Sequence, residues 1–168
     1  PVDENGQLKL EDLQKAIRPE TALISIMWAN NETGVLFQIE KIAAFCSEKN
    51  IPLHIDAVQA AGKIAIDVSK IPVSLLSLSG HKIHAPKGIG ALYVRRGTQI
   101  KPILYGGHQE RGRRAGTENV AGIVALGKAA ELAKNKLENG FFKKVAQLRD
   151  DFETKLQKQF SWVQINGK

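Results

Sequence analysis

Short apolar segments alternate with amphipathic segments along the chain. The apolar segments have the length of buried strands and lie at 22–28, 52–56, 74–79 and 90–94. Helical periodicity marks the segments around them, at 8–17, 39–46, about 118–137 and about 141–160. Strands that alternate with helices predict an α/β fold with a mainly parallel sheet flanked by helices.

Ligands of such sheets bind beyond the carboxyl ends of the strands. Polar residues that directly follow a predicted strand are therefore candidate site residues. They are Asn30, Asn31, Asp56, Ser79, His81 and Lys82.

Lys82 follows a predicted strand and lies beside His81 and near Lys87. A deprotonated lysine amine in such a place could attack a carbonyl carbon and form a Schiff base. The alternative is a lysine at a strand end that points into solvent.

Asp56 closes another predicted strand and strengthens the catalytic interpretation of Lys82. A cofactor that acts as an electron sink needs a lysine Schiff base and an aspartate beside its protonated ring nitrogen. Asp56 could equally begin the following turn. Gln59, three residues on, could face the same pocket or be an ordinary turn residue.

Three further residues could hold a phosphate group. Ser79 and His81 offer a hydroxyl and an imidazole, and Thr117 precedes the helix predicted to start near Glu118. Thr117 could instead be only the N-cap of that helix.

The positive charge of the chain is concentrated in residues 81–116. This segment holds eight basic residues and one acidic residue, and the whole chain carries a net charge of +7. A solvated basic face, a nucleic-acid surface and a small-anion site are all possible. The segment has only Tyr93 and Tyr105 for base stacking, so we expect a small anion and no nucleic-acid partner.

Cysteine, histidine and apolar content exclude other classes of site. A single cysteine, Cys46, permits no internal disulfide and no CxxC motif, and we interpret it as a core residue. The four histidines lack metal-ligand spacing, so no metal is expected. No apolar run approaches the roughly 20 residues of a membrane helix, and no signal peptide is evident. We therefore expect a cytoplasmic protein without membrane contact.

Four segments resemble the cysteine desulfurases, which are pyridoxal 5'-phosphate enzymes of the class V aminotransferase superfamily. They are residues 27–34, 54–62, 78–88 and 106–119, and the last is most similar to the nitrogen-fixation type. The resemblance covers nearly the whole chain. It implies the fold type I of pyridoxal-phosphate-dependent transferases, with the chain forming the central part of the large domain.

The resemblance implies a role for each residue of the cofactor ring site. Lys82 would form the Schiff base with the cofactor and shuttle protons. Asp56 would pair with the pyridine nitrogen, and Gln59 would bind the ring hydroxyl. Asn31 would lie near the ring and the substrate carboxylate.

The resemblance also implies a phosphate site shared between subunits. Ser79 and His81 would hold the phosphate, whereas Thr117 would reach the phosphate of the neighbouring subunit. A homodimer is therefore expected.

The reaction implied by the resemblance converts L-cysteine to L-alanine. The sulfur is left as a persulfide on an enzyme cysteine and passes to an iron–sulfur scaffold protein. Selenocysteine lyase, an aminotransferase and a non-catalytic anion-binding fragment are the alternatives.

The ends of the chain favour an internal fragment. We expect residues 1–160 to be a partial cofactor-binding large domain. Residues 161–168 would open a further strand that starts the small C-terminal domain. By resemblance, the nucleophilic cysteine and the arginine for the substrate carboxylate lie outside this chain, so the fragment alone is expected to be inactive.

Overall fold

The computed structural model describes residues 1–167. In chain order the helices and strands are α1 (Leu10–Ala16), β1 (Ile24–Met27), α2 (Ile39–Glu48), β2 (Leu53–Asp56), β3 (Leu75–Ser79), a 3-10 turn (Gly80–Ile83), β4 (Gly90–Val94), α3 (Gln109–Gly112), α4 (Val120–Glu138) and α5 (Phe141–Gln159). The predicted alternation of strands and helices is confirmed. Among the described residues, no helix combines the length and apolarity needed to cross a membrane.

The four strands form one sheet in the order β1-β2-β3-β4. The first three strands are parallel, and Met27 pairs with Asp56, which in turn pairs with Ser77. Strand β4 runs antiparallel to β3. Only residues 80–89 connect these two strands, and a parallel crossover needs a dozen residues or more. The mainly parallel sheet is thus confirmed, with a reversed strand at one edge.

Helix α2 packs on one side of the sheet and builds the main core. Ile39, Ala43 and Cys46 of the helix are fully buried, together with Leu53 and Ile55 of β2. Burial of an isoleucine or leucine side chain, such as Ile39, Leu53 or Ile55, stabilises the fold by about 1.5–3 kcal/mol. Burial also raises the pKa of the Cys46 thiol above its ordinary value.

The opposite side of the parallel strands carries a row of hydrogen-bonded polar side chains. Ser25 Oγ lies 2.8 Å from Nδ1 of His54, and Nε2 of His54 lies 3.1 Å from Ser77 Oγ. Helix α4 packs against the 3-10 turn that follows β3, where Ala129 of the helix joins Ile83 of the turn in a second small core. The 3-10 turn after β3 is therefore packed against α4.

Arg95, directly after β4, fixes the segment that connects β2 to β3. Its Nε donates to the carbonyl oxygen of Val73, and its Nη2 donates to those of Val68 and Ile71, all at 2.6 Å. The planar guanidinium thus satisfies three carbonyl groups at once.

One sequence prediction near the C-terminus is wrong. Residues 161–167 form no strand; the N–H of Val163 donates to the carbonyl oxygen of Phe160 in a turn. A strand needs a neighbour for its ladder, and no described strand lies alongside. Lys168 lies outside the described residues.

The apolar face of α5 is exposed. It includes Leu148 and Phe152, which are 70% and 64% exposed.

Candidate functional site

A pocket of about 250 Å³ opens at the carboxyl ends of β1 and β2. Four of the residues singled out in the sequence share its wall, together with Met27, Ala29 and Val58. These four are Asn31, Asp56, Gln59 and Lys82. The pocket thus collects side chains from three separate loops, each of which follows a strand of the parallel sheet.

Asp56 is held by the turn that it begins. One of its carboxylate oxygens accepts a hydrogen bond from the N–H of Val58 at 2.9 Å. The following turn is tight, since the N–H groups of Ala60 and Ala61 both donate to the carbonyl oxygen of Ala57. The turn role and the pocket role are therefore compatible, because a carboxylate has a second oxygen to offer to a ligand.

Gln59 is held by a residue that the sequence analysis did not single out. The ammonium of Lys63 donates to the side-chain oxygen of Gln59 at 3.2 Å and to its backbone oxygen at 2.9 Å. The pKa of Lys63 is lowered, first by burial and second by the positive charge of Lys82. Lys63 lies four residues after Gln59, and nothing in that spacing signals that it contacts a residue of the pocket.

Lys82 lies in the 3-10 turn between β3 and β4 and is exposed. Gly80, at the start of this turn, is buried, and its N–H donates to the carbonyl oxygen of Ile89 at 2.9 Å. A Cβ atom at Gly80 would lie 2.9 Å from that same oxygen. The close approach of the two backbones requires glycine here and fixes the base of the turn that carries Lys82.

The loop after β1 contains two adjacent asparagines with different contacts. The side-chain oxygen of Asn30 accepts from the N–H groups of Glu32 and Thr33, so Asn30 shapes the turn. Asn31 is exposed and lines the pocket, and its Nδ2 donates to the Glu32 carboxylate at 2.8 Å. Of the two candidates, Asn31 is the one that can contact a ligand in the pocket.

Ser79 and His81 form a hydrogen-bonded pair at the end of β3. Ser79 Oγ lies 2.8 Å from Nδ1 of His81. Neither side chain lines the 250 Å³ pocket, although Ser79 directly precedes the turn that carries Lys82 and His81 lies within that turn. The pair offers a hydroxyl and an imidazole beside the pocket rather than inside it.

Thr117 lies apart from the pocket and is exposed. Its carbonyl oxygen accepts a hydrogen bond from Arg114 at 3.3 Å. It is not the N-cap of α4, because the helix begins at Val120 and the side chain of Asn119 accepts from the N–H of Gly122. The helix therefore begins two residues after the start predicted near Glu118, and the N-cap role considered for Thr117 is wrong, since the Asn119 side chain fills the cap.

Larger cavities lie elsewhere and contain none of the candidate residues. One of about 720 Å³ lies at the amino ends of the parallel strands and is bordered by Arg95 and Arg96. Another, of about 540 Å³, includes Lys101, Arg111 and Arg113. Within residues 1–167, no group of three or more histidine, cysteine, aspartate or glutamate side chains could hold a metal ion.

Comparison with known proteins identifies similar sequences. The profile of the family described as "Aminotransferase class-V" matches residues 1–167. A cysteine desulfurase of Nostoc sp. is 53% identical over 166 residues, which cover 99% of this chain and 41% of that protein. Cysteine desulfurase NifS of Azotobacter vinelandii is 53% identical over 153 residues, covering 91% of this chain and 38% of the relative. The chain therefore spans about two fifths of the length of the curated relatives it matches.

Solved structures agree with the sequence relatives. A NifS-like protein superposes with a TM-score of 0.88 at 42% identity, covering 94% of this chain and 44% of its own. The structure "SspA in complex with cysteine" superposes with a TM-score of 0.75 at 45% identity, covering 77% of this chain and 38% of its own. Both the type I fold and the resemblance to cysteine desulfurases are thus confirmed. By sequence and by fold, the chain belongs to the class V aminotransferase family.

Proposed function

We propose that this chain is the cofactor-binding part of a cysteine desulfurase of the nitrogen-fixation type. The enzyme would convert L-cysteine to L-alanine and pass the sulfur, as a persulfide, to an iron–sulfur scaffold protein. The shared pocket of Asn31, Asp56, Gln59 and Lys82 carries this proposal. The relatives named cysteine desulfurase support it. A cytoplasmic location stays a prediction from the sequence.

The donor set of the pocket fits pyridoxal phosphate. A lysine amine suits its carbonyl carbon, a carboxylate suits a protonated ring nitrogen, and an amide N–H suits a ring hydroxyl. When bound, this cofactor supplies an electron sink that stabilises negative charge at the substrate α-carbon. One carboxylate oxygen of Asp56 accepts the N–H of Val58, so the other oxygen is available to the ring nitrogen.

Lys82 would be the residue that moves protons. Its amine stands on a short turn at the pocket, where it can take a proton from the substrate α-carbon and return it to the product. Asp56 would keep the ring nitrogen protonated, because a carboxylate within hydrogen-bond reach favours the charged form of its partner. Asn31, which also lines the pocket, would orient the substrate carboxylate through its amide.

The phosphate would bind beside the pocket rather than within it. Ser79 and His81 are already hydrogen-bonded to each other, at the start of the turn that carries Lys82. Thr117 lies outside the pocket of its own chain, and by resemblance to the family it would reach the phosphate of a neighbouring subunit. We therefore propose a homodimer with shared phosphate sites and assign residues 1–160 to the large cofactor-binding domain.

Cys46 would not carry the persulfide. Its side chain is fully buried in the main core, and burial raises the pKa of the thiol, whereas sulfur transfer needs an accessible thiolate. The sulfur-accepting cysteine of the active enzyme would be another residue. The 168-residue segment alone is then expected to be inactive.

Covalent labelling of the full encoded chain tests the cofactor site. We expect borohydride reduction in the presence of pyridoxal phosphate to leave a pyridoxyl group on Lys82, located by mass spectrometry of the digested protein. Lys82→Ala should abolish both the label and cysteine-dependent sulfide release. Lys87→Ala is the matched control, because Lys87 is an exposed lysine of the same loop outside the pocket. Sulfide release that survives in Lys82→Ala would overturn the proposal.

A further inference from the structure

The contact between Lys63 and Gln59 couples a residue of unassigned role to the pocket. Gln59 lines the pocket, whereas Lys63 is half-buried behind it. The Lys63 ammonium reaches both oxygens of Gln59, at 2.9 Å to the backbone and 3.2 Å to the side chain. Two acceptors on one residue hold the ammonium more firmly than a single contact would.

The contact determines which end of the Gln59 amide faces the ligand. A lysine ammonium can only donate hydrogen bonds, so the atom of the Gln59 amide that lies beside it must be the oxygen. The nitrogen lies on the other arm of the same carboxamide carbon. The NH2 group of Gln59, a donor, is therefore the part of the amide that remains available to a ligand in the pocket.

A second observation connects Lys63 with the pocket. The positive charge of Lys82 contributes to the lowered pKa of Lys63, so the two ammonium groups are close enough to repel each other. Lys82 lines the pocket directly. The pocket wall at Gln59 and Lys82, with Lys63 in contact with Gln59, thus presents donors and positive charge, which favour an anionic oxygen on the ligand.

We propose that Lys63 is a positioning residue that fixes the Gln59 amide as a hydrogen-bond donor toward an anionic oxygen of the bound ligand. This inference rests on the proposed function, under which that atom would be the ring oxygen of pyridoxal phosphate in its deprotonated form. Lys63 would act through Gln59 and would not touch the ligand itself. The alternative is a lysine that only stabilises the turn between Gln59 and Lys63.

Ligand binding in the full encoded chain tests the positioning role. We expect Lys63→Met to weaken pyridoxal phosphate binding roughly 5- to 10-fold, which is the effect of one lost hydrogen bond. The absorbance band of the bound cofactor should also change with pH at a higher midpoint, because the anionic oxygen loses the hydrogen bond from the Gln59 amide. Lys63→Arg, which keeps a donor and the charge, should restore both values to within about twofold.

A double-mutant cycle separates action through Gln59 from other effects. In a Gln59→Ala background, Lys63→Met should weaken binding less than about twofold further. Lys134→Met is the matched control, because Lys134 is an exposed lysine of α4 paired with Glu138 on the same helix. If Lys63→Met fails to fold, Lys63→Gln replaces it in the same cycle. Equal losses in both backgrounds, or no loss in either, would overturn the proposal.

A readout without cofactor keeps this inference separate from the proposed function. In the ligand-free full chain, NMR of the Gln59 side-chain amide should show a fixed environment that Lys63→Met changes and Lys63→Arg preserves. If the wild-type chain binds no pyridoxal phosphate, the proposed function fails, and the amide signal alone decides whether Lys63 positions Gln59. An amide signal that is unchanged in Lys63→Met would overturn the inference.

Discussion

The carboxylate of Asp56 accepts the N–H of Val58 at 2.9 Å, so the residue that closes β2 also begins the turn beneath the pocket. The structural role of this side chain uses one carboxylate oxygen, and its proposed ligand-binding role would use the other. Substitutions can therefore separate them.

Asp56→Asn should damage catalysis without damaging the fold. Asparagine retains the oxygen that accepts from Val58 but removes the charge that favours a protonated ring nitrogen. We expect cysteine-dependent sulfide release by the full chain to fall roughly a hundredfold, as for the loss of one preorganised electrostatic partner. Asp56→Ala should also lose the turn contact, and its stability should fall by a further ~1 kcal/mol in thermal unfolding. Full activity in Asp56→Asn would contradict the assigned role.

Arg95→Lys should destabilise the fold through its three carbonyl contacts. A lysine ammonium cannot reproduce the planar fork that binds Val68, Ile71 and Val73 together. We expect a loss of about 1.5–3 kcal/mol in chemical denaturation, which is the range for hydrogen bonds to a charged group. Arg96→Lys serves as the control, because the neighbouring Arg96 has the same charge and should change stability little. Equal effects of the two variants would exclude the fork as the cause.

Gly80→Ala should displace the turn that carries Lys82. The new Cβ would meet the carbonyl oxygen of Ile89 at 2.9 Å and its side chain at 2.8 Å. Overpacking of this kind costs about 1–3 kcal/mol, and cofactor binding should weaken as well. Gly127→Ala should act in the opposite direction, because open space surrounds Gly127 within α4 and alanine favours the helix by about 0.5–1 kcal/mol. Opposite shifts of the melting temperature are the result that we expect.

Cys46 should resist alkylation in the folded protein. Its thiol is buried and its pKa is raised, so the neutral form dominates and reagents have no access. Because the pKa is higher in the folded than in the unfolded chain, the stability from this group is present at neutral pH and declines as the solution becomes alkaline. Iodoacetamide should modify the peptide 42–49 only after denaturation. Rapid labelling under native conditions would show that the core opens at α2.

The sequence was most informative where local pattern and burial agree. Ile39, Ala43 and Cys46 repeat with helical spacing, and all three are fully buried in α2. Asp56 and Lys82 could be connected from the order of the predicted strands, because parallel strands bring their carboxyl ends to one edge of the sheet. Such predictions need only short-range periodicity and one rule of topology.

Contacts that depend on tertiary detail could not be predicted. Lys63 has the sequence surroundings of a solvated turn residue, and only its position in three dimensions reveals the contact with Gln59. The apolar residues Trp162 and Val163 suggested a strand, but strand formation depends on a neighbour that sequence alone does not provide. Thr117 remained a possible cap of α4 by sequence, whereas Asn119 fills that position, because both residue types suit a cap.

The pairing of Ser79 with Gly90 has a consequence for ligand affinity. It ties both ends of the segment 80–89 to one ladder, and the N–H of Gly80 closes the base of the loop on Ile89. The conformational entropy of this loop is therefore lost when the protein folds, before any ligand arrives. The proposed capture of a ligand by Lys82 would then need little further ordering of the backbone, and most of the interaction energy would remain available as affinity.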